Sequence, residues 1–115
     1  MSNNCLFCKI ANKEIDTDVV YEDDEIMAFK DINPKAPIHF LFSPKRHVST
    51  LNSAGEGDID ILGKILIKIK EAAKEHGIAE DGYRVVINCN KNAGQEVFHI
   101  HAHLLGGRPF AWPPG

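Results

Sequence analysis

From Gln95 to Phe110 the chain reads QEVFHIHAHLLGGRPF, and His99, His101 and His103, half of its six histidines, fall there at every second position. Ile100, Ala102 and Leu104 stand between them. Successive side chains of a strand point to opposite faces, so an extended backbone here sets three imidazoles on one face and three apolar groups on the other. Gly106 and Gly107 then mark a turn. A lone histidine reads as ordinary surface polarity, whereas three at strict period two read as a strand with a chemical face.

The segments ahead of this strand supply its neighbours. VVYE (19–22) and IMAFK (26–30) read as two strands joined at the acidic turn Asp23-Asp24, and Pro34 and Pro37 then interrupt the chain. IHFLFSP (38–44) is continuous enough in apolar residues to be a central strand, ending at Pro44. A helix is expected from Asp58 to His76: Leu62, Ile65, Leu66, Ile69, Ala72 and Ala73 repeat at helical spacing, opposite Asp60, Lys64, Lys68, Glu71 and Glu75. Gly77 stands where a left-handed cap would close it. YRVVIN (83–88) is a fourth strand, followed by the loop CNKNAGQ (89–95). LFCKIANKEI, starting at Leu6, forms a short helix with Phe7, Ile10 and Ala11 on one side. The expected class is α+β: an antiparallel five-stranded sheet with one long and one short helix. No linker or repeat divides residues 1–115, so one domain is expected.

A formal net charge of -3 over 115 residues gives no basic field for wrapping nucleic acid. No apolar run reaches spanning length and no cationic head precedes an apolar stretch, so neither membrane insertion nor a signal peptide is indicated, and a soluble cytoplasmic protein is expected. Three cysteines do not suggest a secreted disulfide framework.

Two chemistries compete for the histidine strand. In one, His-x-His holds a catalytic metal, which calls for nearby carboxylates; only Glu96 is close. In the other, one imidazole attacks a phosphorus centre, held in one tautomer by a hydrogen bond to its far nitrogen, while its neighbours donate to phosphoryl oxygens. Cys5 and Cys8 show the spacing of half a tetrahedral zinc site, with His47 and one triad histidine as the natural completing ligands. A redox Cys-x-x-Cys is the rival, but no strand precedes residue 5. Cys89 reads as a buried free thiol. His39, on the third strand, is a supporting partner for the triad or a plain inward polar residue.

HIHAHLL, with CLFCKIANKEI, YEDDEIMAFKDINPKAPIHFLFSPKRH, YRVVINCNKNAGQEVFHIHAHLLGGRP and the terminal WPPG, resembles the histidine triad family in its Hint-like branch of nucleotide-binding phosphoramidate hydrolases, over nearly the whole chain. The resemblance implies the histidine triad fold, with two sheets joined across a homodimer. It implies that His101 attacks the α-phosphorus of a purine nucleoside 5′-phosphoramidate to form a nucleotidyl-histidine. His103 would bond an α-phosphate oxygen, and the main-chain carbonyl of His99 would orient His101. Asp31 matches the acid that grips the ribose; Phe7, Ile10, Phe29 and Ile32 match the purine walls. Asn88, Gly94, Gln95, Glu96 and Val97 match the phosphate and leaving-group side, and Trp112 matches a tail residue reaching the partner's site. Branches with the cysteine pair bind one structural zinc per subunit, here through Cys5, Cys8, His47 and His99. The best-known animal members carry serine where this chain has Glu96, and an acid there is expected to favour cationic amine leaving groups. The alternative is a nucleotide-binding or interaction protein whose hydrolysis is incidental.

Overall fold

The computed structural model describes residues 4–115. Helix α1 (Leu6–Ala11) is followed by strands β1 (Val19–Glu22), β2 (Ile26–Lys30) and β3 (Ile38–Pro44), helix α2 (Ile59–Glu75), and strands β4 (Tyr83–Val86) and β5 (Ala102–Gly106). The strands form one sheet in the order β1-β2-β3-β5-β4, and all neighbours are antiparallel. The apolar run in β3 therefore belongs to the sheet's centre, as expected.

Register sorts the side chains into two faces. Ala28 pairs with Phe42 and Phe42 with Ala102, and these residues join Ile26, Phe40 and Leu104 in a core covered by Ile65, Ile69, Ala72 and Ala73 of α2. Phe42 and Leu104 are wholly buried, each removal from water being worth roughly 1.5–3 kcal/mol. On the other face Phe29 pairs with Leu41 and Leu41 with His103, and there Phe7 and Ile10 of α1 pack on Met27, Phe29 and Leu41. Helix α1 is thus a plug on the histidine face, held by two buried side chains.

Three expectations need correction. The paired ladder of β5 begins at Ala102, so His99 and His101 precede it; the Ile100 amide bonds the Val48 carbonyl at 2.6 Å instead of a sheet neighbour. Strand β4 stops at Val86, leaving Ile87 and Asn88 outside the ladder. Leu66, expected in the core, is half exposed, as are Ile59 and Ile67. The seventeen-residue α2 has a wider apolar surface than one sheet face can cover. Gly107, just past β5, has φ of +92° and a Cβ there would lie 2.9 Å from Pro37, so both conformation and space require glycine.

Candidate active site

The loop after β3 is pinned before it carries any chemistry. Arg46 pairs with the buried Asp58, whose carboxylate also accepts the Gly55 amide, tying the His47 segment to the start of α2. Across from it, the buried Gln95 amide donates to the Ser49 and Val97 carbonyls at 2.9 and 3.0 Å and accepts from the Asn90 amide at 2.8 Å. These bonds hold residues 47–49 against residues 95–100.

The result is a cluster of four donors. Cys5 is the N-cap of α1, its sulfur accepting from the Cys8 amide at 3.3 Å, so one short turn brings both thiols together. Cys5 Sγ and Cys8 Sγ lie 3.3 and 3.5 Å from His99 Nδ1, and Cys8 Sγ lies 3.3 Å from His47 Nδ1. All four donor atoms fall within 4.8 Å of one another, a set that can hold a metal ion. With sulfur at about 2.3 Å and nitrogen at about 2.0–2.1 Å from a tetrahedral ion, adjacent donors would stand about 3.5 Å apart, so the donors fit with little movement. The outer bonds fit as well. His99 Nε2 donates to the Pro44 carbonyl at 2.6 Å, which leaves Nδ1 bare toward the thiols. Burial pushes the Cys5 thiol up, with the Cys8 amide opposing, so without a cation the sulfur keeps its proton.

A second chain of bonds fixes the other imidazoles. His101 Nδ1 lies 2.7 Å from the His99 carbonyl, which can only accept; Nδ1 therefore carries the proton and Nε2 presents a lone pair. His39 Nδ1 accepts the Lys35 amide at 3.0 Å, so the His39 proton sits on Nε2. That Nε2 lies 2.9 Å from His103 Nδ1 and 3.4 Å from Asp31 Oδ2. His39 thus donates to His103, whose own proton is left on Nε2. Asp31, His39 and His103 also cluster within 4.8 Å, but a metal on His39 Nε2 would need the proton moved onto Nδ1, against the Lys35 amide. The geometry favours a hydrogen-bond relay there. Burial lowers the pKa of His39, His99 and His101 alike; for His103, burial and then the nearby His101 and His39 lower it to about 4.

These imidazoles open onto a cavity of about 440 Å³. Phe7, Ile10, Phe29, Asp31, Ile32, Asn88, Gly94, Gln95, Glu96, Val97, His101 and His103 all line it. Phe7 stands edge-on to Phe29 at 5.1 Å and to His101 at 4.9 Å, making one aromatic wall. Ile32 lies at the open mouth, 95% exposed. Trp112 does not line this cavity and is 82% exposed. Leu6, Ile15, Thr17 and Leu41 also line the wall and had no signal in the sequence beyond apolar or small polar character. A cavity of this size, mostly apolar with a few convergent polar groups, suits a small organic ligand. The bare Nε2 of His101 suits nucleophilic attack and the Nε2 proton of His103 suits an anionic oxygen.

Residues 12–110 match the HIT domain family; Cys5 and Cys8 precede the matched segment. An uncharacterized HIT-like protein of Synechocystis sp. is 50% identical over 115 residues, covering all of both chains. The purine nucleoside phosphoramidase of Escherichia coli (strain K12) is 46% identical over 109 residues, 95% of this chain and 92% of the relative. Among solved structures, a HIT family hydrolase from Legionella pneumophila superposes with a TM-score of 0.96 at 54% identity, covering 97% of this chain and all of the other. A histidine triad protein from Clostridium difficile gives 0.92 at 45%, covering 95% of each. No helix among the described residues is long and apolar enough to cross a membrane.

Proposed function

The chain belongs to the HIT domain family, and from that premise we propose that it is a hydrolase of purine nucleoside 5′-phosphoramidates and related nucleotidyl compounds, acting through a nucleotidyl-histidine. The observation that carries this reading is the 2.7 Å bond between His101 Nδ1 and the His99 carbonyl, which aims a lone pair into the cavity. The relative named as a purine nucleoside phosphoramidase supports the substrate class.

The purine lies between Phe7, Ile10, Phe29 and Ile32, and Asp31 receives the ribose hydroxyls. His101 Nε2 attacks the α-phosphorus. The P–N bond breaks with its electron pair on nitrogen, which takes a proton from water and leaves as the amine. The Nε2–H of His103 bonds a phosphoryl oxygen as charge builds. Water then attacks phosphorus, the P–Nε2 bond breaks, and His101 returns neutral with release of the nucleoside monophosphate. Asn88 and the main chain of Gly94, Glu96 and Val97 face the phosphate; the Gln95 side chain, with every polar atom already bonded, shapes this wall.

Cys5, Cys8, His47 and His99 would hold a zinc ion. Four protein ligands would close its shell, so it would supply cross-linking of α1 to the histidine segment and no Lewis-acid chemistry. The protein works as a homodimer in the cytoplasm, where reducing conditions keep the cysteine pair available for metal. The half-exposed Ile59, Leu66 and Ile67, with the free edge of β4, provide apolar and main-chain surface for the second copy.

The test is amine release from a fluorogenic adenosine 5′-phosphoramidate by the native protein and by His101→Ala. Collapse of the rate by at least about 10³-fold with nucleotide binding retained is expected. Negligible turnover by the native protein, with nucleoside monophosphate still bound, would instead establish a binding module.

A further inference from the structure

The end of the nucleotide cavity farthest from the triad plays no part in the reaction above. One row of paired residues gives its distance. Val19 pairs with Phe29, Phe29 with Leu41 and Leu41 with His103, crossing the histidine face from the edge strand β1 to β5. Three interstrand steps of about 4.8 Å make that row about 14 Å long. The Lys30 amide bonds the Asp18 carbonyl at 3.0 Å, so the segment entering β1 runs beside the end of β2. Ile15, Asp16 and Thr17 of that segment line the cavity. β1 is the sheet edge opposite β4, away from the surface assigned to the second copy.

A nucleotide bound by its phosphate at His101 and His103 brings one particular edge of its base to this end. A purine joins ribose through N9, so whichever way it turns about that bond, the edge farthest from the sugar carries N1 and the C6 substituent. From phosphorus to that edge is roughly 11 Å at ordinary bond lengths, and a hydrogen bond of about 3 Å completes the row. Phe7, Ile10 and Phe29 are apolar and cannot tell one purine from another. Asp16 can, for it is exposed at the mouth and takes part in no ion pair among the described residues. Half-buried Thr17 adds a hydroxyl beside it. Lys30 also lines this end, but strand alternation puts its side chain on the opposite face, with Ile26 and Ala28.

A carboxylate only accepts, through two oxygens. Guanine presents N1–H and its 2-amino group side by side, one donor for each oxygen. Adenine presents its 6-amino group and, next to it, the N1 lone pair, so one bond forms and the second oxygen meets another acceptor. From this juxtaposition we infer that Asp16 reads the far edge of the base and makes the site select guanine over adenine. The inference rests on the nucleotide reading above and deepens it, naming guanosine compounds as the substrate class.

Calorimetry with guanosine, inosine and adenosine 5′-monophosphates reads the preference without turnover. The native protein should bind the guanosine compound about ten-fold more tightly than the adenosine compound, the scale of one charge-assisted hydrogen bond at an open rim. Inosine monophosphate, which lacks the 2-amino group, should fall between them. In Asp16→Ala the ratio of the two Kd values should approach unity. In Asp16→Asn the side chain can donate as well as accept, so xanthosine monophosphate, with a carbonyl at C2, should gain on guanosine monophosphate relative to the native protein. Each ratio is internal to one protein, so a loss of folded material leaves it alone. Equal affinities in the native protein, tighter binding of adenosine monophosphate, or a ratio unchanged in Asp16→Ala would overturn the inference. A guanine preference in Kd, without amine release from guanosine 5′-phosphoramidate, would instead remove the phosphoramidate reading and leave base selection by Asp16 standing.

Discussion

Replacing His39 by alanine tests the proton map on which the site depends. His39 is buried in the central strand, touches no reacting atom, and acts through the 2.9 Å bond from its Nε2 to His103 Nδ1. The Lys35 amide dictates that this bond runs from His39 to His103, so His103 is held with its proton on Nε2, where it would meet the phosphoryl oxygen of the proposed substrate. Without His39, His103 Nδ1 loses its donor and the two tautomers approach parity. The lost neutral hydrogen bond is worth roughly 0.5–1.5 kcal/mol, and leaving its buried acceptor unmet adds to a total of roughly 1.5–3 kcal/mol. At about 1.4 kcal/mol per decade this is a fall in kcat/KM of about 10- to 100-fold. His39→Gln keeps an amide donor near the same place and should recover most of that loss, which a merely space-filling role would not predict. An activity-independent reading comes from the imidazole ¹⁵N chemical shifts of His103. They should report the Nε2–H tautomer in the native protein, a mixture in His39→Ala, and a titration midpoint moved up from about 4 once His39, one of its depressing neighbours, is gone. A native His103 protonated on Nδ1, or an alanine variant with native kcat/KM, would refute the reasoning.

The remaining expectations concern stability, metal and assembly. Because the folded pKa of His103, about 4, lies below the unfolded value of about 6.5, the unfolded chain binds the extra proton between those limits; stability should be full above pH 6.5 and fall as pH drops toward 4. Urea unfolding at pH 7, 5.5 and 4.5 should show that slope, and His103→Gln should reduce it, with the depressed His39, His99 and His101 supplying the remainder; equal slopes in the two proteins would contradict the assignment. Purified protein should carry one zinc per chain by elemental analysis, Cys8→Ser should carry little, and stripping the metal should lower Tm by at least about 5 °C while sparing part of the hydrolysis, since the ion touches no substrate. Complete loss of turnover in a stripped protein that still binds nucleotide would argue for a catalytic metal. Leu66→Glu places a charge on the half-exposed apolar face of α2 and should shift a dimer toward monomer in sedimentation; an unchanged dimer would put the interface elsewhere.

What was legible in the sequence was local, and what was not depended on which segments meet. Period two marked the histidine strand, a continuous apolar run marked β3, helical spacing marked α2, and Gly77, at φ of +75°, closed that helix as its position implied. Leu66 shows the limit: periodicity gives a helix an apolar face but not how far a neighbour covers it. The start of β5 was misjudged because alternation continues through His99 and His101 while the bonding partner changes from a strand to the loop at Val48. Asp31, Phe29 and Ile32 carried no signal as a group without the family pattern, for they are neighbours in a wall only after β2 and α1 close on the same face. The Lys35 amide and the Gln95 amide had no signal at all, since their value lies in which single atom each satisfies. His99 ties these scales together: its Nδ1 faces the thiols, its Nε2 donates to Pro44, and its carbonyl fixes the proton of His101. Three different atoms of one residue serve the Cys/His cluster, the backbone and the orientation of His101. A metal at Cys5 and Cys8 would therefore stiffen the carbonyl that aims His101 without occupying the His101 imidazole, so a structural metal on His99 and a nucleophilic His101 are compatible.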